Sequence, residues 1–118
     1  MARDLSFWKK KENIHIINRK VYEELSKGNY LDCVYEIPSE KILQDIKYEF
    51  ADWEQLNSSC FENNHESFQL YITKQFFRVD CYSMTEQNIN RIIDILLRYD
   101  CPLYDASIDV RFDSNVCN

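Results

Sequence analysis

Gly28 is the only glycine in this chain of 118 residues, where average usage would be about 7%. Tight turns must therefore be built from other residues. Asn tolerates left-handed and turn backbone best among the alternatives, which singles out Asn57, Asn63-Asn64 and Asn29, directly after Gly28. The same scarcity removes a class of chemistry. Neither a Walker-type phosphate loop nor a dinucleotide fingerprint can be assembled from one glycine, so nucleotide-dependent catalysis is not expected.

With glycine so rare, hydrophobic periodicity carries the reading of the elements. Ile89, Ile92, Ile93, Leu96 and Leu97 recur at helical spacing from Thr85 to about Tyr99, with Thr85 as N-cap, Glu86 in the first turn and Pro102 beyond the end. A second helix is expected from Pro38 or Ser39 to about Phe50, burying Ile42, Leu43, Ile46 and Phe50. A short third one spans Asn18 to Lys27, with Val21, Tyr22 and Leu25 inward and Gly28 as its left-handed stop.

Alternation marks strands at Leu5–Trp8, Phe68–Ile72 and Phe76–Tyr82, the last two joined as an antiparallel hairpin through Thr73-Lys74-Gln75. Cys101–Tyr104 reads as a fourth strand, Ile108–Phe112 as its extension or partner, and His15-Ile16-Ile17 as a small addition. The order predicts an α+β fold: a four-stranded antiparallel sheet, two main helices on one face in a split β-α-β, ferredoxin-like arrangement, and a short extra helix. Leu5, Phe7, Phe68, Leu70, Ile72, Phe77, Val79 and Cys81 then face the helices. Ser6, Trp8, Gln69, Tyr71, Phe76, Arg78, Asp80 and Tyr82 line the other face, which residues 10–37 would cover as a second core.

Apolar residues make up 45% of the chain and aromatics 14%, from seven Phe, eight Tyr and two Trp. That is enough for a core and argues against disorder; the length suits one domain, residues 1–118. No apolar run approaches the roughly 20 residues of a membrane span. Met1-Ala2-Arg3-Asp4 lacks a signal-peptide layout, so the expected compartment is the cytoplasm. Cys33, Cys60, Cys81, Cys101 and Cys117 are odd in number and form no C-x-x-C pair, a pattern of reduced thiols.

Charge is unevenly placed. The net charge is −6, but residues 32–66 alone hold nine acidic and two basic groups, a net of −7, so the remainder sums to +1. Overall acidity argues against direct nucleic-acid binding, which requires a basic face. An acidic stretch with embedded aromatics instead suits a basic protein cleft, where rings fill pockets and carboxylates imitate phosphates. Glu49, Asp52, Trp53, Glu54, Phe61, Glu62, Asn64 and Glu66 are the expected partner-binding residues.

Catalytic and metal sites are not indicated. His15 and His65 stand far apart in the chain with no ligand spacing, so no metal and no cofactor are expected. Two other readings stay open: a small cysteine-dependent enzyme using Cys60 or Cys81 with His65, and a non-catalytic adaptor using the aromatic face of Trp8, Tyr71, Phe76 and Tyr82 beside Arg78.

The segments Asp4-Leu5-Ser6-Phe7-Trp8-Lys9, Ile37-Pro38-Ser39-Glu40-Lys41-Ile42-Leu43, Phe76 through Met84, Asn90 through Leu96, and Cys101-Pro102-Leu103-Tyr104-Asp105 resemble a family of small bacterial proteins. These are the immunity proteins of contact-dependent growth inhibition and polymorphic toxin systems. The family pattern carries Gly where Ser83 stands and Pro-Gln where Ala106-Ser107 follow Asp105. The resemblance implies a single immunity-type domain that binds and neutralises the catalytic domain of a cognate toxin. A nuclease, and specifically a ribonuclease, is the toxin expected for an acidic inhibitor, because it must present Lys and Arg to phosphates.

Overall fold

The computed structural model describes residues 2–12 and 16–112. Its elements run β1 (Ala2–Phe7), α1 (Asn18–Ser26), α2 (Ser39–Glu49), β2 (Glu54–Asn57), β3 (Cys60–Asn63), β4 (Glu66–Ile72), β5 (Phe77–Tyr82), α3 (Glu86–Leu97), β6 (Leu103–Asp105) and β7 (Val110–Arg111). All seven strands join one sheet in the order β2-β3-β4-β5-β1-β6-β7, and every pairing is antiparallel. This corrects the expected four-stranded, two-helix ferredoxin-like arrangement. The four anticipated strands lie side by side in the middle. The sheet then continues through β2 and β3 at one edge and β7 at the other.

The physical reason lies in residues 54–63. The chain after α2 turns at Phe50–Trp53 and runs out as a hairpin that places only Phe61 in the core, so no apolar alternation announces it. Asn57 Oδ1 accepts a hydrogen bond from the Ser59 amide (2.9 Å), closing the β2–β3 turn. Asn64, at φ +59°, closes β3–β4. Asparagine thus takes over turn work, as glycine scarcity requires. Ser83, Asp100 and Asp109 also adopt left-handed backbone, at φ +57°, +61° and +54°. Ile16 and Ile17 belong to no strand, and His15 lies outside the described residues.

The helices form where periodicity placed them. Thr85 Oγ1 caps α3 by accepting from the Asn88 amide (3.2 Å). Gly28, at φ +85°, ends α1: its amide donates to Leu25 O (3.0 Å) and the Asn29 amide to Glu24 O (3.1 Å), a Schellman pair.

Helices cover both faces of the sheet. On one, Ile42, Ile46 and Phe50 of the α2 region and Ile89, Ile92, Ile95 and Leu96 of α3 pack on Leu5, Phe7, Phe61, Phe68, Phe77 and Val79. On the other, Val21 and Leu25 of α1 and Val34 pack on Trp8, Phe76 and Tyr104. The residues from α1 to Val34 thus cover the aromatic half-face as a second core. Gln75, 2% exposed, fastens this layer: its amide donates to Leu31 O (2.6 Å) and Val34 O (2.9 Å) and accepts from the Leu31 N–H (2.9 Å).

Phe68 is the aromatic hub of the first core, stacked on Phe61 at 4.8 Å and meeting Phe50 at 5.0 Å and Trp53 at 5.6 Å. Phe68→Ala should lower the unfolding free energy by about 3–5 kcal/mol, read as a shift of the urea midpoint. A loss under about 1 kcal/mol would show that the hub is not packed in this way.

Candidate functional site

Strand register sorts the exposed chemistry into rows. Glu54, Glu62, Ser67 and Tyr82 form one row across β2, β3, β4 and β5. Asn57, Cys60, Gln69, Asp80 and Asp4 form the next, reaching β1. A third row holds Tyr71, Arg78, Ser6, Tyr104 and Arg111. Side chains directly opposite in a sheet share a face, so all three rows lie on the α1 side. The third row is already in shelter: Ser6 and Tyr104 are buried, and Tyr71 packs against the second core. The first two rows are largely open, with Glu54, Glu62, Gln69 and Tyr82 exposed.

The face is therefore divided. Its covered half is aromatic, with Arg78 over Tyr71 (5.0 Å) and Arg111 over Trp8 (5.3 Å) at the seam. Its open half presents the carboxylates of Glu54, Glu62, Asp80 and Asp4. Arg78 Nε lies 3.1 Å from Asp80 Oδ1 and neutralises that one. Glu54 stands directly opposite Glu62, a like-charge pair that costs about 0.2–1 kcal/mol. Neither has an ion pair or side-chain hydrogen bond among the described residues.

Asp4 stands opposite Asp80. Burial, then a hydrogen bond to Asp80 and its charge, push the Asp4 carboxyl above the ordinary aspartate range, while Arg78 pulls it back in part.

The eight residues expected to bind a partner separate into three groups. Trp53 and Phe61 are buried, at 6% and 2% exposure, in the core beneath α2 and α3. Glu49 and Glu66 have internal partners. Glu49 accepts from Arg91 Nε (2.8 Å), and its carbonyl accepts from the same guanidinium (2.7 Å). Glu66 accepts from the Thr85 amide (2.8 Å) and from Asn88 Nδ2 (2.9 Å), bracing the start of α3. Asp52, Glu54, Glu62 and Asn64 remain exposed around one hairpin. Asp80 and Tyr82, which alternation already places on this face, and Asp4 join this open half through the pairings of β3 with β4 and of β5 with β1.

Cys81 points into the first core, and burial pushes its thiol up to about 12. It is no thiolate nucleophile at neutral pH. Cys60 sits on the open face, three residues along the ribbon from Asn63 and separated from exposed His65 by the β3–β4 turn. Among the described residues no three His, Cys, Asp or Glu side chains gather closely enough to hold a metal ion. No helix there is long and apolar enough to cross a membrane. Comparison with protein-family models, curated proteins and solved structures finds no match.

Two pH effects follow. Glu66 is held below the ordinary glutamate range, first by the Thr85 backbone N–H and further by Asn88. A lowered carboxyl stabilises the fold above its unfolded pKa and loses that contribution as pH falls through the folded one. Glu66→Gln should therefore cost about 0.5 kcal/mol at pH 7 after solvent screening, and the difference from wild type should vanish in acid below the glutamate range. Asp4 has the opposite sign: raised in the folded state, it costs stability at neutral pH and is relieved as pH falls through its raised range. Asp4→Asn should gain about 0.5 kcal/mol at pH 7 and progressively less toward acid. Urea unfolding of both variants across pH checks the two signs.

Proposed function

We propose that this chain is an immunity protein: it binds the catalytic domain of a cognate bacterial toxin, a ribonuclease, and covers its basic substrate groove with the acidic hairpin β2–β3 and the open sheet face beside it. The observation that carries this reading is the exposed pair of Glu54 and Glu62, set directly opposite each other with Asp52 just before them. Isolated, the pair opposes folding. Against Lys and Arg of a phosphate-binding cleft the same repulsion turns into attraction, with association that salt weakens. The sequence resemblance supports the reading independently. Ser83, where the family pattern carries Gly, adopts the left-handed φ of +57° that glycine favours.

Inhibition of this kind needs no cofactor and no chemistry of its own. The surface acts by occupying the groove and by satisfying the toxin's cations, and the buried Trp53 and Phe61 serve by holding the hairpin rigid behind it. Partner contact falls to Asp52, Glu54, Glu62 and Asn64, with Asp4, Asp80 and Tyr82 extending the surface.

Exchanging Asp52, Glu54 and Glu62 together for Lys should abolish protection of cells that express the cognate toxin domain. The fold should survive, because Lys opposite Lys merely replaces one like-charge pair by another at positions 54 and 62. Circular dichroism and the urea midpoint provide that control. Protection by the folded triple variant would remove the acidic hairpin from the reading.

A further inference from the structure

β2 is the terminal strand of the sheet, and all four of its residues are exposed. An edge strand presents a row of backbone N–H and C=O groups that can pair with another strand. At the far edge β7 has only two residues, so β2 is the longer template. Sheet edges are blunted by charged side chains, proline, bulges or short length; this one carries acid and a bulge, with no lysine or proline in the strand. Glu54 lies in β2 and Asp52 just ahead of it, with Glu62 opposite on β3. A second copy of the chain, acidic in the same place, is repelled. Leu56 is the extra residue of a bulge, since Gln55 pairs with Phe61 and Asn57 with Cys60, and its side chain is 52% exposed.

From this edge we infer that β2 receives an extended, lysine- or arginine-bearing strand of the partner protein, which joins the sheet as an eighth strand. The inference rests on the reading of the acidic hairpin as the partner surface and specifies how the partner is held. Main-chain hydrogen bonds to the outer side of β2 supply registry, and cationic side chains alternating on the open face stand against Glu54, with the carboxylate of Glu62 one strand further in. The bulge keeps the pairing short and fixes its register, because a visiting strand must accommodate the extra residue at Leu56. Strand addition of this type takes affinity from the backbone and selectivity from alternate side chains.

The test uses capped synthetic peptides and the full chain at low salt, with about 1 mM peptide, the range of a weak isolated strand. The parent peptide alternates lysine and threonine. Two derivatives carry N-methyl groups on alternate residues, in one frame or the other, so that each removes the donors of one peptide edge. A fourth replaces every lysine by glutamate. Strand addition predicts that the parent and one N-methyl isomer bind, that the other isomer and the acidic peptide do not, and that amide hydrogen exchange in residues 54–57 slows about tenfold. Equal binding of both isomers, or chemical-shift changes around Asp4, Asp80 and Tyr82 with unchanged exchange in β2, overturns strand addition and leaves the acidic-surface reading standing. Failure of every cationic peptide to bind overturns both.

Discussion

The side chains of β1 leave the sheet in two directions, and each direction ends in a buried interior. Leu5 and Phe7 enter the core beneath α2 and α3, while Trp8, just past the strand, enters the core beneath α1. The strand is hydrogen-bonded on both sides, to β5 and to β6. With its neighbour β6, whose Leu103 and Tyr104 likewise enter the first and the second core, it ties the two interiors together. Its burial explains the division of the face: the end of β1 near Trp8 is roofed by aromatics and α1, and the end near Asp4 emerges into the open acidic half. A change that loosens β1 would disturb the two cores together, whereas the hairpin β2–β3 at the edge can vary with less consequence for either.

Much of the fold was legible because burial imposes a period. The helices show it: Ile89, Ile92 and Leu96 share one face at helical spacing, and α2 and α3 begin within a residue of their cap signals. The face assignment of β1, β4 and β5 was legible for the same reason. What could not be read were strands that bury almost nothing. Glu54–Asn57 and Cys60–Asn63 contribute one core ring between them, Phe61, and are held by backbone pairing to β4 rather than by an apolar stripe. Trp53 raises a related difficulty. Its sequence surroundings are acidic, but its ring is turned to Phe50 and Phe68, and composition does not encode direction.

The candidate site was legible as a region and not as a surface. A net of −7 over residues 32–66 says nothing about which carboxylates are already committed. Glu49 meets Arg91 on another helix, and Glu66 meets the first turn of α3; both pairings join distant parts of the chain. Conversely, Asp4 and Asp80 come onto the same open face as Glu62, in the adjoining row and two or three strands away, only through the registers of β1, β5 and β4. Local charge counts overstated one part of the surface and missed another, because in a sheet the neighbour that matters electrostatically stands across the ladder, not along the chain.

The scarcity of glycine has a consequence beyond the choice of turn residues. A chain with a single glycine has fewer backbone conformations to lose when it orders, and its left-handed turn positions at Asn64, Ser83, Asp100 and Asp109 are filled by residues with a side chain. The open face and its edge hairpin are thus presented ready-made. The cationic partner proposed above would meet a template already set, with the ordering cost that flexible loops impose on association met during folding.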